Sequence, residues 1–228
     1  MKIKSRKQRM EEYNAAYPEH IDDAVERVRR YFEEHSLDLD KECVKASKKA
    51  IKIIEGRRYQ TMHFLLREYP NGTPRPRTFN GHTFSPNAKA NKDYFRSALR
   101  SVIDTLKLVT TPAELNIEAY LEMPSSVPPD EIILFEAGIL RPEAKPDYDN
   151  IGKGYTDILT DTVIIDDDIF YDARIKKFYS LEPRVDIRVT FLERHESEYI
   201  CKKLKNRKSV KEAMEAGLLE LSMLDYTA

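Results

Sequence analysis

Between residues 145 and 177 the chain reads KPDYDNIGKGYTDILTDTVIIDDDIFYDARIKK. Two carboxylates at i and i+2, Asp147 and Asp149, precede Lys153, then Asp157, then a run of three aspartates, Asp166, Asp167 and Asp168. From 129 to 172, twelve Asp or Glu stand against three Lys or Arg, a balance of −9 in a chain of formal net charge −1, which leaves the remainder near +8. Charge is sorted along this sequence rather than averaged. Adjacent carboxylates partly shielded from water repel one another, and a cation is the simplest remedy. Carboxylate oxygens are hard ligands that suit Mg²⁺ or Mn²⁺ better than a softer metal. Taken singly, Asp-x-Asp also serves as a helix cap and Asp166 to Asp168 as a solvated turn. Turn and site are compatible, because a tight connection beside a strand places its side chains at a sheet edge.

Spacing gives the local geometry. Pro146 biases Lys145 toward an extended conformation. Asp149 or Asn150 reads as the N-cap of a helix over about 151–160. Positions 149, 153 and 157 then share one helix face, and Lys153 is set to meet an anion near a helix N-terminus that itself favours negative charge.

Around this block, periodicity predicts helices at 21–32 and 40–55, the second with Val44, Ala50, Ile51 and Ile54 as its apolar stripe. A strand follows at 59–69, then a loop at 73–86 in which Arg75, Arg77, Asn80 and His82 alternate with Phe79 and Phe84. An amphipathic helix is expected at 88–108, a strand at 115–123 and a Pro-broken connection at 124–144, long enough to be a dimer element or a flap. Residues 169–179 and 184–192 read as an antiparallel pair. From 196 onward the chain reads as helical, with Lys202, Lys203, Lys205, Arg207 and Lys208 as a basic cluster on an exposed tail or a DNA grip.

At 228 residues the chain can bury a sizeable core, with one main domain and appendages as the expectation. No apolar run approaches the roughly 18 residues of a membrane span. The basic start, 1–9, lacks the apolar centre of an export signal, so a cytoplasmic location is expected. Cys43 and Cys201 have no metal-ligand spacing and read as reduced thiols.

The motif KPDYDN, with Lys153 in the following helix, then Asp157-Ile158-Leu159, an acidic pair and a strand holding Arg174, resembles the RusA-type Holliday junction resolvases of phages and prophages. Upstream, TPRPRTFNGHTFSPNAKANKDYFRSAL is similar to that family's GRPR, aromatic and amphipathic-helix pattern. The resemblance covers about 59–193, leaving 1–58 as an N-terminal helical extension and 194–228 as a C-terminal helical tail. It implies an α/β (α+β) domain with a mixed sheet of about four or five strands. It also implies a homodimeric, Mg²⁺-dependent endodeoxyribonuclease that nicks branched, four-way DNA symmetrically. Carried across by position, Asp147, Asp149 and Asp167 are the metal ligands and Lys153 the accompanying cation. Asp166 and Asp168 are alternates, since a longer-spacer alignment lands on Asp168. Arg75, Arg77, Lys145, Arg174 and Lys176 are the candidate DNA contacts. Gly152 and Gly154 depart from the pattern, each costing roughly 1 kcal/mol in a helix interior. Two rivals remain. A small-ester phosphohydrolase would lack a catalytic His, Cys or Gly-rich loop here, and a junction-binding protein of the same fold would have weak or lost cleavage.

Overall fold

The computed structural model describes residues 5, 7, 8, 23–70, 72, 77–79, 82–84, 93, 97, 107–220 and 224. The chain divides into two compact units, Met1–Ile54 and Glu55–Ala228. In the first, helices α1 (Ala24–Glu34) and α2 (Leu39–Gly56, whose end enters the second unit) follow the predicted periodicity. Asp23 starts α1 by accepting the amides of Val25 and Glu26, two donors that a helix start leaves unpaired. Neither helix buries a residue, and Val44, Ala50, Ile51 and Ile54 are all exposed.

The second unit is an α+β fold on a four-stranded mixed sheet. Its strands are β1 (Tyr59–Leu66), β4 (Ala113–Glu122), β5 (Phe170–Ser180) and β6 (Arg184–Leu192), and their order across the sheet is β1-β6-β4-β5. Two short strands, β2 (Arg77–Phe79) and β3 (His82–Phe84), pair separately. The centre of the sheet follows from alternation. Ala113, Leu115, Ile117, Ala119 and Leu121 all point inward from β4, and Val185, Ile187 and Val189 do so from β6. Ile117 and Ile187 face each other in antiparallel register.

The expectation that 169–179 and 184–192 pair as a hairpin is wrong. β4 lies between them, parallel to β5 and antiparallel to β6. Ser180 pairs with Glu122 and Arg184 with Tyr120, so residues 181–183 carry the chain across the end of β4. That crossing spans about 10 Å, two inter-strand spacings, within reach of three linking residues. Burial explains the order: β6 has an apolar alternate face fit for the interior of the sheet. β5 carries Asp172, Arg174, Lys176 and Lys177 and buries only Ser180 fully, as suits an edge strand.

Three further expectations change. The loop at 73–86 contains the β2–β3 pair, with Asn-Gly as the two residues between Phe79 and His82. The connection at 124–144 contains helix α3 (Pro129–Glu136), which packs on β5 through an edge-to-face contact of Phe135 with Tyr179. Glu136 accepts from the Ser180 hydroxyl and the Leu181 amide, pinning the crossing. The strand predicted at 59–69 ends at Leu66. The helix expected at 88–108 falls almost entirely outside the described residues.

The core lies on one face of the sheet, beneath helix α4 (Tyr148–Leu159), which contributes Ile151, Tyr155, Ile158 and Leu159. Helices α5 (Glu198–Leu204) and α6 (Lys208–Glu215) add Leu204, Val210 and Ala213 to the same cluster, as do Leu219 and Leu224. Each fully buried Leu, Ile or Val stabilises by about 1.5–3 kcal/mol. Among the described residues, no helix is long and apolar enough to cross a membrane.

Candidate active site

The chain enters the acidic block through a cis Lys145–Pro146 peptide. Lys177 on β5 donates to the carbonyls of Ala144 and Pro146 at 2.7 and 3.2 Å, tying that entry to the edge strand. Helix α4 then starts earlier than the sequence suggested. Asp147, extended at φ −67° and ψ 148°, is the N-cap, and its carbonyl accepts the first helical amide, from Ile151, at 3.1 Å. Its carboxylate makes no capping hydrogen bond to the helix. Asp149 lies in the first turn and Lys153 one turn on, both exposed.

The anomalous Gly152 is a packing requirement. A Cβ there would sit 2.5 Å from Ile175 Cδ1, so its absence lets α4 lie close on β5. Gly72 plays a similar part from the other side, where a Cβ would be 3.1 Å from Asn150 Cβ and 3.2 Å from Pro146 Cβ. The segment after β1 therefore closes on the start of α4. In the same segment, Glu68 accepts the Tyr155 hydroxyl at 3.0 Å. Burial pushes the Glu68 carboxyl up to about 7, against the opposing effect of that hydrogen bond.

After α4 the chain reverses at Asp161, whose φ of 60° is left-handed, and runs out through buried Val163, Ile164 and Ile165. Val109 holds this run by donating to the Val163 carbonyl at 2.9 Å and accepting the Ile165 amide at 3.0 Å. The three aspartates follow. Asp166 accepts the Asp167 amide at 2.9 Å and starts a single 3-10 turn, Asp167–Ile169. Burial raises the Asp167 proton affinity, and the neighbouring Asp166, Asp157 and Asp168 raise it further. Asp168 pairs with Arg207 at 2.6 Å.

The structure thus brings Asp157, Asp166, Asp167, Asp168 and Arg207 into one charge cluster, while Asp147 and Asp149 stand at the opposite end of α4. Positions 149 and 157 are separated by about 12 Å of helix rise. Among the described residues, no three Asp, Glu, His or Cys side chains form a group that could hold a metal ion. The donors are carboxylates, the ligand type of a hard divalent cation, but Asp147, Asp149 and Asp167 do not form one binding set in this fold.

Of the candidate DNA contacts, Lys145 is exposed beside the entry to α4. Arg174 pairs with Asp172 at 2.8 Å and Lys176 with Glu118 at 3.1 Å. Strand alternation places both on the face of β5 away from Ile175 and α4. Arg77 opens β2, and Arg75 lies outside the described residues. Sequence reasoning missed Glu68 and gave Arg207 no part at the aspartates. Nothing local marks Glu68, and Arg207 was one cation in a cluster of five.

The family model for endodeoxyribonuclease RusA matches residues 68–190, more than half of the chain. A Bacillus subtilis (strain 168) protein described as uncharacterized protein YqaN is 34% identical over 125 residues, spanning 52% of this chain and 86% of that protein. The matched segment takes in α4 with Asp147, Asp149 and Lys153, the aspartate turn, all of β4 and β5 and most of β6, and it stops short of α5 and α6. Sheet, acidic helix and match agree: the chain belongs to the RusA endodeoxyribonuclease family.

Proposed function

We propose that this nuclease cuts four-way (Holliday) DNA junctions by paired phosphodiester hydrolysis, in a Mg²⁺-dependent reaction for which Mn²⁺ substitutes. The observation that supports the reading is the family match over residues 68–190, which contains Asp147, Asp149, Lys153 and the aspartate turn. Asp147, Asp149 and Asp167 are the proposed ligands by their position in the family motif alone, since the fold sets Asp147 and Asp149 at the other end of α4 from Asp157, the α4 carboxylate beside Asp167. When bound, the ion supplies Lewis-acid polarisation of the phosphate and a water of lowered pKa. The chain's own residues do the rest. Lys153, on the first turns of α4, stabilises negative charge growing on the phosphate, and the helix start adds its partial positive charge to the same end. The Pro146 and Lys177 contacts fix where that end lies. Lys145, Arg75 and Arg77 are the cations proposed to meet the DNA backbone. A two-fold homodimer in the cytoplasm matches a substrate that needs two symmetric cuts.

The test is a synthetic four-way junction incubated with Mg²⁺ and with Mn²⁺. Wild type nicks both strands; full cleavage by Asp149→Asn would reject the metal roles. The separation of the carboxylates favours one second reading, a branched-DNA-binding protein with weak or no cleavage. Gel-shift binding without nicking in either metal would select it.

A further inference from the structure

We infer that the lysine face of α2 grips the phosphate backbone of a duplex DNA arm, giving the extension before residue 68 a sequence-independent part in holding the substrate. The inference rests on the DNA-cleaving reading above and on none of its metal roles. Helix α2 carries five lysines, at 41, 45, 48, 49 and 52, against Asp40, Glu42 and Glu55. At about 100° per residue, Lys41, Lys45, Lys48 and Lys52 fall within about 60° of one another, with Lys49 on the rim of the same face. All five are exposed, whereas half-buried Leu39 lies nearly opposite the first four. Lys45 pairs with Glu42 at 2.5 Å. Among the described residues, Lys41, Lys48, Lys49 and Lys52 meet no acidic side chain.

A helix face that only keeps a protein in solution mixes its signs, as α1 does. There Glu26, Glu33 and Glu34 balance Arg27, Arg29 and Arg30, with Arg29 on Glu26 at 2.5 Å and Arg30 on Glu34 at 3.0 Å. On α2 the same spacings bring lysines together: 41 with 45, 45 with 48 and 49, and 52 with 48 and 49. Like charges at i,i+3 and i,i+4 weaken a helix, and a polyanion laid along it turns that repulsion into attraction. The dimensions agree. From Lys41 to Lys52 the helix rises about 16 Å, over which one strand of a duplex presents about five phosphates. Lysine, a compact point charge on a flexible stem, suits contacts that position a backbone rather than read bases. Basic helices also lie on anionic membranes, but those bury Trp, Phe or Leu in the lipid, and α2 has no aromatic residue and one Leu. DNA is the polyanion on which the matched family acts.

The experiment is fluorescence anisotropy of the full chain in EDTA, on a labelled four-way junction and on a linear duplex, across a salt series. The variant Lys41→Gln/Lys45→Gln/Lys48→Gln/Lys52→Gln removes the charges and keeps helix propensity. Each lost phosphate contact takes about 0.9 from the slope of log affinity against log salt, so the slope should flatten by about 2–4 on both DNAs. Affinity near 0.1 M salt should fall about tenfold or more. Arg29→Gln/Arg30→Gln, on the paired cations of α1, should leave the slope as it is. By circular dichroism the lysine variant should melt no lower than wild type, since it removes every one of the repulsive pairs. If it melts lower, Lys48→Gln/Lys52→Gln takes its place, with about half the flattening expected. An unchanged slope overturns the inference, as does equal flattening by Arg29→Gln/Arg30→Gln. So does a lysine variant that loses binding to phosphatidylserine vesicles while its DNA slope stays at the wild-type value. A wild type that binds the junction no better than the duplex removes the junction reading alone, and one that binds neither overturns both.

Discussion

Glu68 holds a proton to about 7, against an ordinary 4.5, because burial disfavours its charged form. The folded chain therefore binds more protons than the unfolded chain between about pH 4.5 and 7, and stability falls as pH rises through that window. Glu68→Gln keeps an acceptor for Tyr155 and removes the slope. In urea unfolding it should match wild type at pH 4.5 and exceed it at pH 8 by about 1 kcal/mol, a figure discounted for the water that still reaches a half-buried group. Equal stability at both pH values would refute the assignment. Lys153 is exposed, so Lys153→Ala should fold normally while junction cleavage drops by about 100-fold or more, as for other preorganised charge-stabilising groups. Gel-shift affinity measured beside the rate separates this from lost binding. The helical placement of Asp149 and Lys153 was legible because their spacing depends only on the turn of the helix. Glu68 was not, since its proton affinity is set by a segment that folds back on α4.

At Gly152 the helix and the edge strand compete for one small volume. Gly152→Ala gains about 1 kcal/mol of helix propensity but drives a methyl into Ile175 Cδ1, and such overpacking costs about 1–3 kcal/mol. Ile175→Val removes the obstructing atom. Thermal unfolding should show Gly152→Ala destabilised or neutral alone, and Gly152→Ala/Ile175→Val more stable than Ile175→Val by about 1 kcal/mol. A double variant no better than Ile175→Val would show that backbone, not this methyl, sets the limit. In the sequence the glycine stood out as an oddity but its partner did not, because Ile175 is 23 positions away and on another element. The strands show the same limit. Alternation identified β4 and β6, yet adjacency in sequence wrongly suggested that β5 and β6 pair. The charges on β5 were the missed sign of an edge. For β2 and β3 the overlooked sign was Asn-Gly, a common hairpin dipeptide.

For the molecule as a whole, residues 55–228 carry the sheet and every residue of the buried apolar cluster. A chain of 55–228 should unfold cooperatively with a midpoint within a few degrees of the full chain. Ending the chain at 197 removes Cys201, Leu204, Val210, Ala213, Leu219 and Leu224, all buried. At about 1.5–3 kcal/mol for each of the Leu and Val side chains, their loss rivals the ~5–15 kcal/mol total stability of an ordinary domain. That truncation should therefore lose its cooperative transition in calorimetry; an intact transition would mean that α5 and α6 merely rest on the surface. The helical character of the tail was visible in the sequence, but whether it met the core was a matter of tertiary contact. The crossing at 181–183 also has a kinetic consequence. No neighbouring pair in the main sheet can zip up as a local hairpin, since β4 must wait for partners that emerge some sixty residues later and β1 for one still farther off. Assembly must close long loops before any ladder rewards it, so stopped-flow refolding should take milliseconds to seconds rather than microseconds. Until that closure, Val109 has no Ile165 to hold, and the chain has the aspartates of a nuclease without the turn that arranges them.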